Sequence, residues 1–277
     1  MNWKDIAKRA GAFGMSLCVA VTTLISGSSN VLAEGGPVIE YTGPSEYAGR
    51  MVGNFFFNGE RAFCLEHSKL SPETGTPVET SPYENDMIKT VLYYGWDGKG
   101  NIFTDEAEGV VRTSSALSVL YSGDNENGQM LAQPLLDYAA ANLITDMNIY
   151  FSKESVTASI AGDQQKTEEI TVNGDARNTV SFSLPEQVVL HNKTTGEETG
   201  GEVTVKGGDV FFLTAPLNGA ADFSTGILKG SMGYCQPLFL KTSDDEVQDL
   251  IAMWWKDPDH TTSLSVTWQK AGNIKVS

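Results

Sequence analysis

Met51-Val52-Gly53-Asn54-Phe55-Phe56-Phe57-Asn58-Gly59-Glu60-Arg61-Ala62-Phe63-Cys64-Leu65 reads as two extended runs joined by a two-residue turn. Asn-Gly is the pair a type I′ hairpin asks for, because both central residues take positive φ. With a period of two, Arg61, Phe63 and Leu65 share one face and Ala62, Cys64 and Glu66 the other. If Phe63 and Leu65 point to the core, the Cys64 sulfur points away from it. Val38-Ile39-Glu40-Tyr41 adds another extended run upstream.

Downstream the signals turn helical. Ser81-Pro82-Tyr83-Glu84 combines a capping serine, a proline at the first helical position and a capping-box glutamate. It predicts a helix through Ile88, Val91 and Leu92 that stops at Gly95. Asp105 to Tyr121 predicts a second helix, and Gln129 to about Ile144 a third, with Pro134 in its first turn or two. After Tyr150, short runs rich in Val, Thr, Ile and Phe alternate with turn residues: 155–160, 168–172, 179–184, 202–205, 210–213 and 234–240. Ser243-Asp244-Asp245-Glu246 is a further capping box and predicts a helix over about 243–255, before a strand at 263–269. The fold class expected is α+β: a β-rich, sandwich- or barrel-like domain with a helical insertion at about 81–150 and a β-rich part at about 151–241.

The whole chain has 277 residues, 40% hydrophobic and 19% charged, which describes a globular protein and excludes a disordered one. Its formal charge of -16 argues against nucleic acid, which needs a positive footprint. Residues 1–33 read as a signal peptide, with Lys4, Lys8 and Arg9 ahead of an apolar stretch and Val31-Leu32-Ala33 at the cleavage site. Cleavage after Ala33 leaves 16 basic against 34 acidic residues. No later segment is apolar for long enough to span a bilayer, so an exported chain without membrane insertion is expected.

The signal takes Cys18 with it and leaves Cys64 and Cys235. A Cys/His nucleophilic pair is disfavoured, since His67 lies only three residues from Cys64 and His191 and His260 lie in turn-like segments. No Cys or His pair has metal-ligand spacing, and no cofactor or metal is expected. The run Tyr234-Cys235-Gln236-Pro237-Leu238-Phe239-Leu240 offers two chemistries. On a strand beside Cys64, Cys235 facing the sulfur closes a disulfide. Gln236 facing it lets a thiolate meet a carboxamide, and loss of ammonia leaves a Cys-Gln thioester.

Phe63-Cys64-Leu65 resembles the aromatic-Cys-apolar motif of the thioester domains of Gram-positive surface adhesins and pilus tips. Cys235-Gln236-Pro237-Leu238-Phe239-Leu240 is similar to their later motif, an apolar residue, Gln, two variable residues and two apolar ones. Their middle motif, Thr-Gln-x-Ala-apolar-Trp, aligns with Thr113-Ser114-Ser115-Ala116-Leu117-Ser118, where Ser114 and Ser118 replace the Gln and the Trp.

The resemblance implies a thioester domain over 34–270, with Cys64 as the thiol, Gln236 as the acyl donor, and Thr113 and Ser114 beside the bond. It further implies a wall-anchored surface protein that reacts once with a lysine or other amine of a host surface or matrix protein, and is not an enzyme. Residues 271–277 resemble the start of an immunoglobulin-like stalk repeat. The alternative expectation is a non-covalent binding or pilus-capping module with a Cys64–Cys235 disulfide or a degenerate site.

Overall fold

Asn58 and Gly59 take φ of 53° and 83°, as a type I′ turn requires. They join strand β2 (Arg50–Phe57) to β3 (Glu60–Cys64), with Phe57 opposite Glu60 and Phe55 opposite Ala62. Strand β1 (Ile39–Tyr47) precedes them through a similar turn at Ala48-Gly49, and β4 (Val78–Pro82) follows. The computed structural model describes residues 37–218, 220–256 and 261–269. The expected signal peptide and stalk start lie outside these residues.

Two late segments complete the first sheet: β5 (Tyr234–Thr242) and β6 (Leu250–Lys256). The strand order is β1-β2-β3-β6-β5-β4, antiparallel throughout. The sheet curls until its edges meet at one end, where Val38 bridges Pro77 and the Ile39 amide donates to the Thr76 carbonyl at 3.0 Å. Ile39, Phe55, Phe57, Ala62, Cys64, Val78, Leu240 and Leu250 pack together on the inner face. Phe63, Leu65, Cys235, Ile251 and Met253 face the other way, into the helices.

Helices α1 (Asp86–Tyr94), α2 (Glu106–Tyr121) and α3 (Glu126–Ala141) form that outer layer. Each opens on an Asn or Asp cap: Asn85 accepts from the Ile88 amide, Asp105 from Glu108 and Asn125 from Gly128. The first helix thus starts later than Ser81-Pro82 suggests, because that pair ends an edge strand, where proline costs no ladder bond. The third starts earlier than expected, and Pro134 sits well inside it.

The expected helix over 243–255 is not formed. Val247 N donates to Asp244 O at 3.0 Å in a tight turn, and β6 follows. Leu250 and Ala252 enter the inner cluster while Ile251 and Met253 enter the outer one. A strand buried on both faces is a continuous apolar run, which periodicity does not distinguish from a buried helix.

The chain between α3 and β5, together with the segment after β6 that holds a strand at Ser265–Thr267, builds a separate β-sandwich, with a core that includes Phe151, Phe182, Phe211 and Trp268. The β-rich region expected at 151–241 is therefore shared: its last strand, β5, belongs to the curled sheet. The sandwich is fastened to the helical layer by Arg177, whose guanidinium donates to the Asn142 and Leu143 carbonyls at 2.6 and 2.9 Å and to Tyr94 Oη at 3.0 Å. Buried Asn178 adds a bond from Nδ2 to Met147 O, 2.8 Å, and accepts from Met232 N, 3.1 Å.

Candidate functional site

Cys64 is the last residue of β3 and lies opposite Leu250 of β6. Its side chain is 4% exposed, and burial pushes its thiol well above the ordinary range. The thiol is thus held protonated and inert towards solvent.

The structure does not bring Gln236 to it. Strand β6 runs between β3 and β5, so the two expected partners are not on neighbouring strands. Gln236 pairs with Trp254, four positions along β6 from the partner of Cys64. At about 3.4 Å per residue that is roughly 14 Å along the strand, added to two inter-strand spacings of about 4.8 Å. The Gln236 amide donates instead to Tyr83 O and Glu84 Oε1, at 3.3 and 3.1 Å, in a cleft of about 170 Å3.

The disulfide alternative fails on the same frame. Cys235 faces the helices, where its Sγ lies 3.2 Å from Met147 Sδ, whereas Cys64 faces the inner cluster. Both cysteines are free thiols, and burial pushes Cys235 up to about 12.

The glutamine that register does place beside Cys64 is Gln248. It precedes Leu250 by two residues, the diagonal position, for which side chains on neighbouring strands come within about 7–8 Å. The pairing continues past β3, with Leu65 N donating to Asp249 O at 3.0 Å. Gln248 is 3% exposed; its Nε2 donates to Ser71 Oγ at 3.1 Å, and its Oε1 is buried without a partner among the described residues. An unpaired buried carbonyl costs about 1–3 kcal/mol.

The turn before β6 is fixed by Asp249, 2% exposed, which accepts from Thr242 N at 2.9 Å and from Lys241 Nζ at 3.0 Å. Glu66 Oε2 accepts from Asp249 N at 3.2 Å and so ties the turn to the segment that follows Cys64.

A signal for Gln248 was present in the chain. Val247-Gln248-Asp249-Leu250-Ile251-Ala252 also reads apolar, Gln, two variable residues and two apolar ones. Assigning the segment to a helix hid it.

Thr113 and Ser114 serve other contacts. Thr113 Oγ1 donates to Gly109 O at 2.7 Å and accepts from Trp96 N at 2.9 Å, closing the α1–α2 junction. Ser114 Oγ lies 3.4 Å from His67 Nε2, and burial together with the Arg50 guanidinium holds that imidazole below its usual range. On the same helix Ser118 is fully buried and its hydroxyl has no partner among the described residues. Ser118→Ala removes that unmet group and favours the helix, so it should stabilise the fold by about 1 kcal/mol, read as a higher urea midpoint. An unchanged or lower midpoint would show that the hydroxyl is satisfied in solution.

The architecture is a curled sheet under a helical layer, joined to a β-sandwich. Residues 31–145 match the family described as "Thioester domain", and residues 150–232 match the one described as "TED associated beta sandwich domain". The chain belongs to the thioester-domain family, in the form that carries this sandwich. Cys64 lies within the first match, and Gln236 and Gln248 both lie beyond the second.

Among solved structures, the Bacillus anthracis TIE protein is similar at 18% identity and a TM-score of 0.48, over 85% of this chain and 49% of that one. The chain thus spans about half the length of that protein. The thioester domain of the Enterococcus faecium TIE86 protein aligns at 16% identity and a TM-score of 0.41, over 87% of this chain and 99% of that one. The thioester domain of the Staphylococcus aureus TIE protein aligns at 14% identity and a TM-score of 0.41, over 86% and 96%. No curated protein matches the chain.

Proposed function

We propose that this chain is a surface adhesion module that stores an internal thioester between Cys64 Sγ and Gln248 Cδ and spends it once to capture an amine. The observation that carries this reading is the Gln248 carboxamide, buried, diagonal to Cys64 and with a carbonyl that has no partner among the described residues. A thioester is an activated acyl group whose lifetime depends on exclusion of water, and the inner face of the curled sheet supplies a dry apolar wall.

An amine attacks Cδ, the Cδ–Sγ bond breaks, and an amide and a free Cys64 thiol remain. Nothing regenerates the acyl group, so the protein is a single-use covalent binder and not an enzyme. The partner suited to this chemistry is a lysine on a host surface or matrix protein. The site of action is the bacterial cell surface, with stalk repeats following the domain. Among the described residues no helix is long and apolar enough to cross a membrane.

Intact mass tests the reading. The mature, non-reduced protein should be lighter than its sequence mass by one ammonia, and methylamine should restore mass while freeing one thiol. A loss of two hydrogens reversed by dithiothreitol would establish a disulfide and remove the thioester. Cys235→Ala should keep the ammonia deficit, since that thiol faces the helices.

A further inference from the structure

Gln248 is 3% exposed, yet its amide nitrogen is bonded to the hydroxyl of a surface residue, Ser71, at 3.1 Å. Ser71 follows Leu70, which bridges Val247 in the turn before β6. The chain on both sides of Ser71 is pinned: Leu70 N donates to Glu246 O at 3.0 Å, Gln248 N to Leu70 O at 2.9 Å, and Gly75 N to Ile39 O at 2.8 Å. Pro72, next to Ser71, is buried. The hydroxyl is therefore held over the carboxamide nitrogen, with solvent on its far side.

Resting on the Cys64–Gln248 assignment, we propose that Ser71 is the positioning residue through which nitrogen leaves and enters the acyl group. In bond formation Cys64 Sγ attacks Gln248 Cδ, the Sγ–Cδ bond forms and the Cδ–Nε2 bond breaks. The thiol proton ends on the nitrogen, which departs as ammonia past Ser71. Capture is the same path reversed: an incoming amine occupies the place of Nε2, donates to Ser71 Oγ as it attacks Cδ, and passes its proton to the leaving Cys64 sulfur. Because the carboxamide is 3% exposed and bonded to an exposed serine, the path suits an unbranched primary amine on a slender arm and disfavours secondary or branched amines.

The experiment follows methylamine incorporation into the ammonia-deficient mature chain, and the rate at which that deficit appears, for wild type, Ser71→Ala and Ser71→Thr. A hydrogen bond to a nitrogen that gains positive charge is worth roughly tenfold in rate. Ser71→Ala should slow both steps by about that factor, with an unchanged unfolding midpoint in the ammonia-deficient form, which has no Nε2 to satisfy, and Ser71→Thr, which keeps the hydroxyl, should restore them. Capture by Ser71→Ala at the wild-type rate, or no rescue by threonine, overturns the role of Ser71 while the thioester stands. A wild type without an ammonia deficit overturns the thioester itself, and this proposal with it.

Discussion

Gln248→Ala is expected to leave the mature chain at full sequence mass, with Cys64 open to alkylation after denaturation and no methylamine incorporated, whereas Gln236→Ala keeps the ammonia deficit. The effect is all-or-none because a side-chain carboxamide is the only acyl source in this chemistry. Register decides which one serves: Gln248 is two residues from the partner of Cys64, and Gln236 is opposite Trp254, beyond an intervening strand. Removing the Gln236 amide loses hydrogen bonds to Tyr83 O and Glu84, a matter of about 1 kcal/mol in stability. Intact mass and thiol titration of the two variants check this. A deficit that survives Gln248→Ala and vanishes in Gln236→Ala would reverse the assignment.

The second large effect concerns the turn that presents Gln248. Asp249 accepts from both Thr242 N and Thr242 Oγ1, at 2.9 and 3.2 Å, in a buried setting. Asp249→Ala leaves that amide without an acceptor and frees the turn; two hydrogen bonds to a charged group put the cost at about 3 kcal/mol. Lys241 is solvent-exposed, so its ion pair adds little to this. Asp249→Asn keeps an oxygen for Thr242 N and should cost much less. Urea midpoints give the stability, and the ammonia-deficient fraction gives the effect on the bond, which should fall in the alanine variant first. Equal behaviour of the two variants would mean that the Asp249 hydrogen bonds do not hold the turn.

What the sequence disclosed is local. The Asn58-Gly59 hairpin, the stop of α1 at Gly95 and the start of α2 at Asp105 each depend on a few adjacent residues, and each is found. The α+β class follows from the same signals. What it concealed depends on partners far along the chain. Ser81-Pro82 and Ser243 to Glu246 carry good capping chemistry, but pairing with β5 in the first case and with β3 and β5 in the second overrides it. The site suffered from the same cause. Cys64 was legible from its motif, but choosing between two glutamines with the same flanking pattern requires the strand order, and no window of sequence contains that. Thr113 and Ser114 were legible as helical, and their hydrogen bonds go to Gly109, Trp96 and His67.

The central place of β6 sets the order of events when the chain folds. Cys64 and Gln248 are 184 positions apart (248 − 64), and all of the sandwich except its strand at Ser265–Thr267 lies between them. Contacts of such long range close slowly, because the loop entropy has to be met before the contacts repay it. Until residues 250–256 thread between β3 and β5, the first three strands form a ribbon with one edge unfilled, and the Cys64 thiol has neither its dry wall nor its acyl partner. The sandwich closes no earlier, since its core takes Leu264, Val266 and Trp268 and its strand at Ser265–Thr267 pairs with Ser155–Thr157, all from chain that follows β6. On the proposed Cys64–Gln248 pairing, acyl activation then follows the closing of the sheet, and a chain cut short before β6 is expected to carry an ordinary thiol.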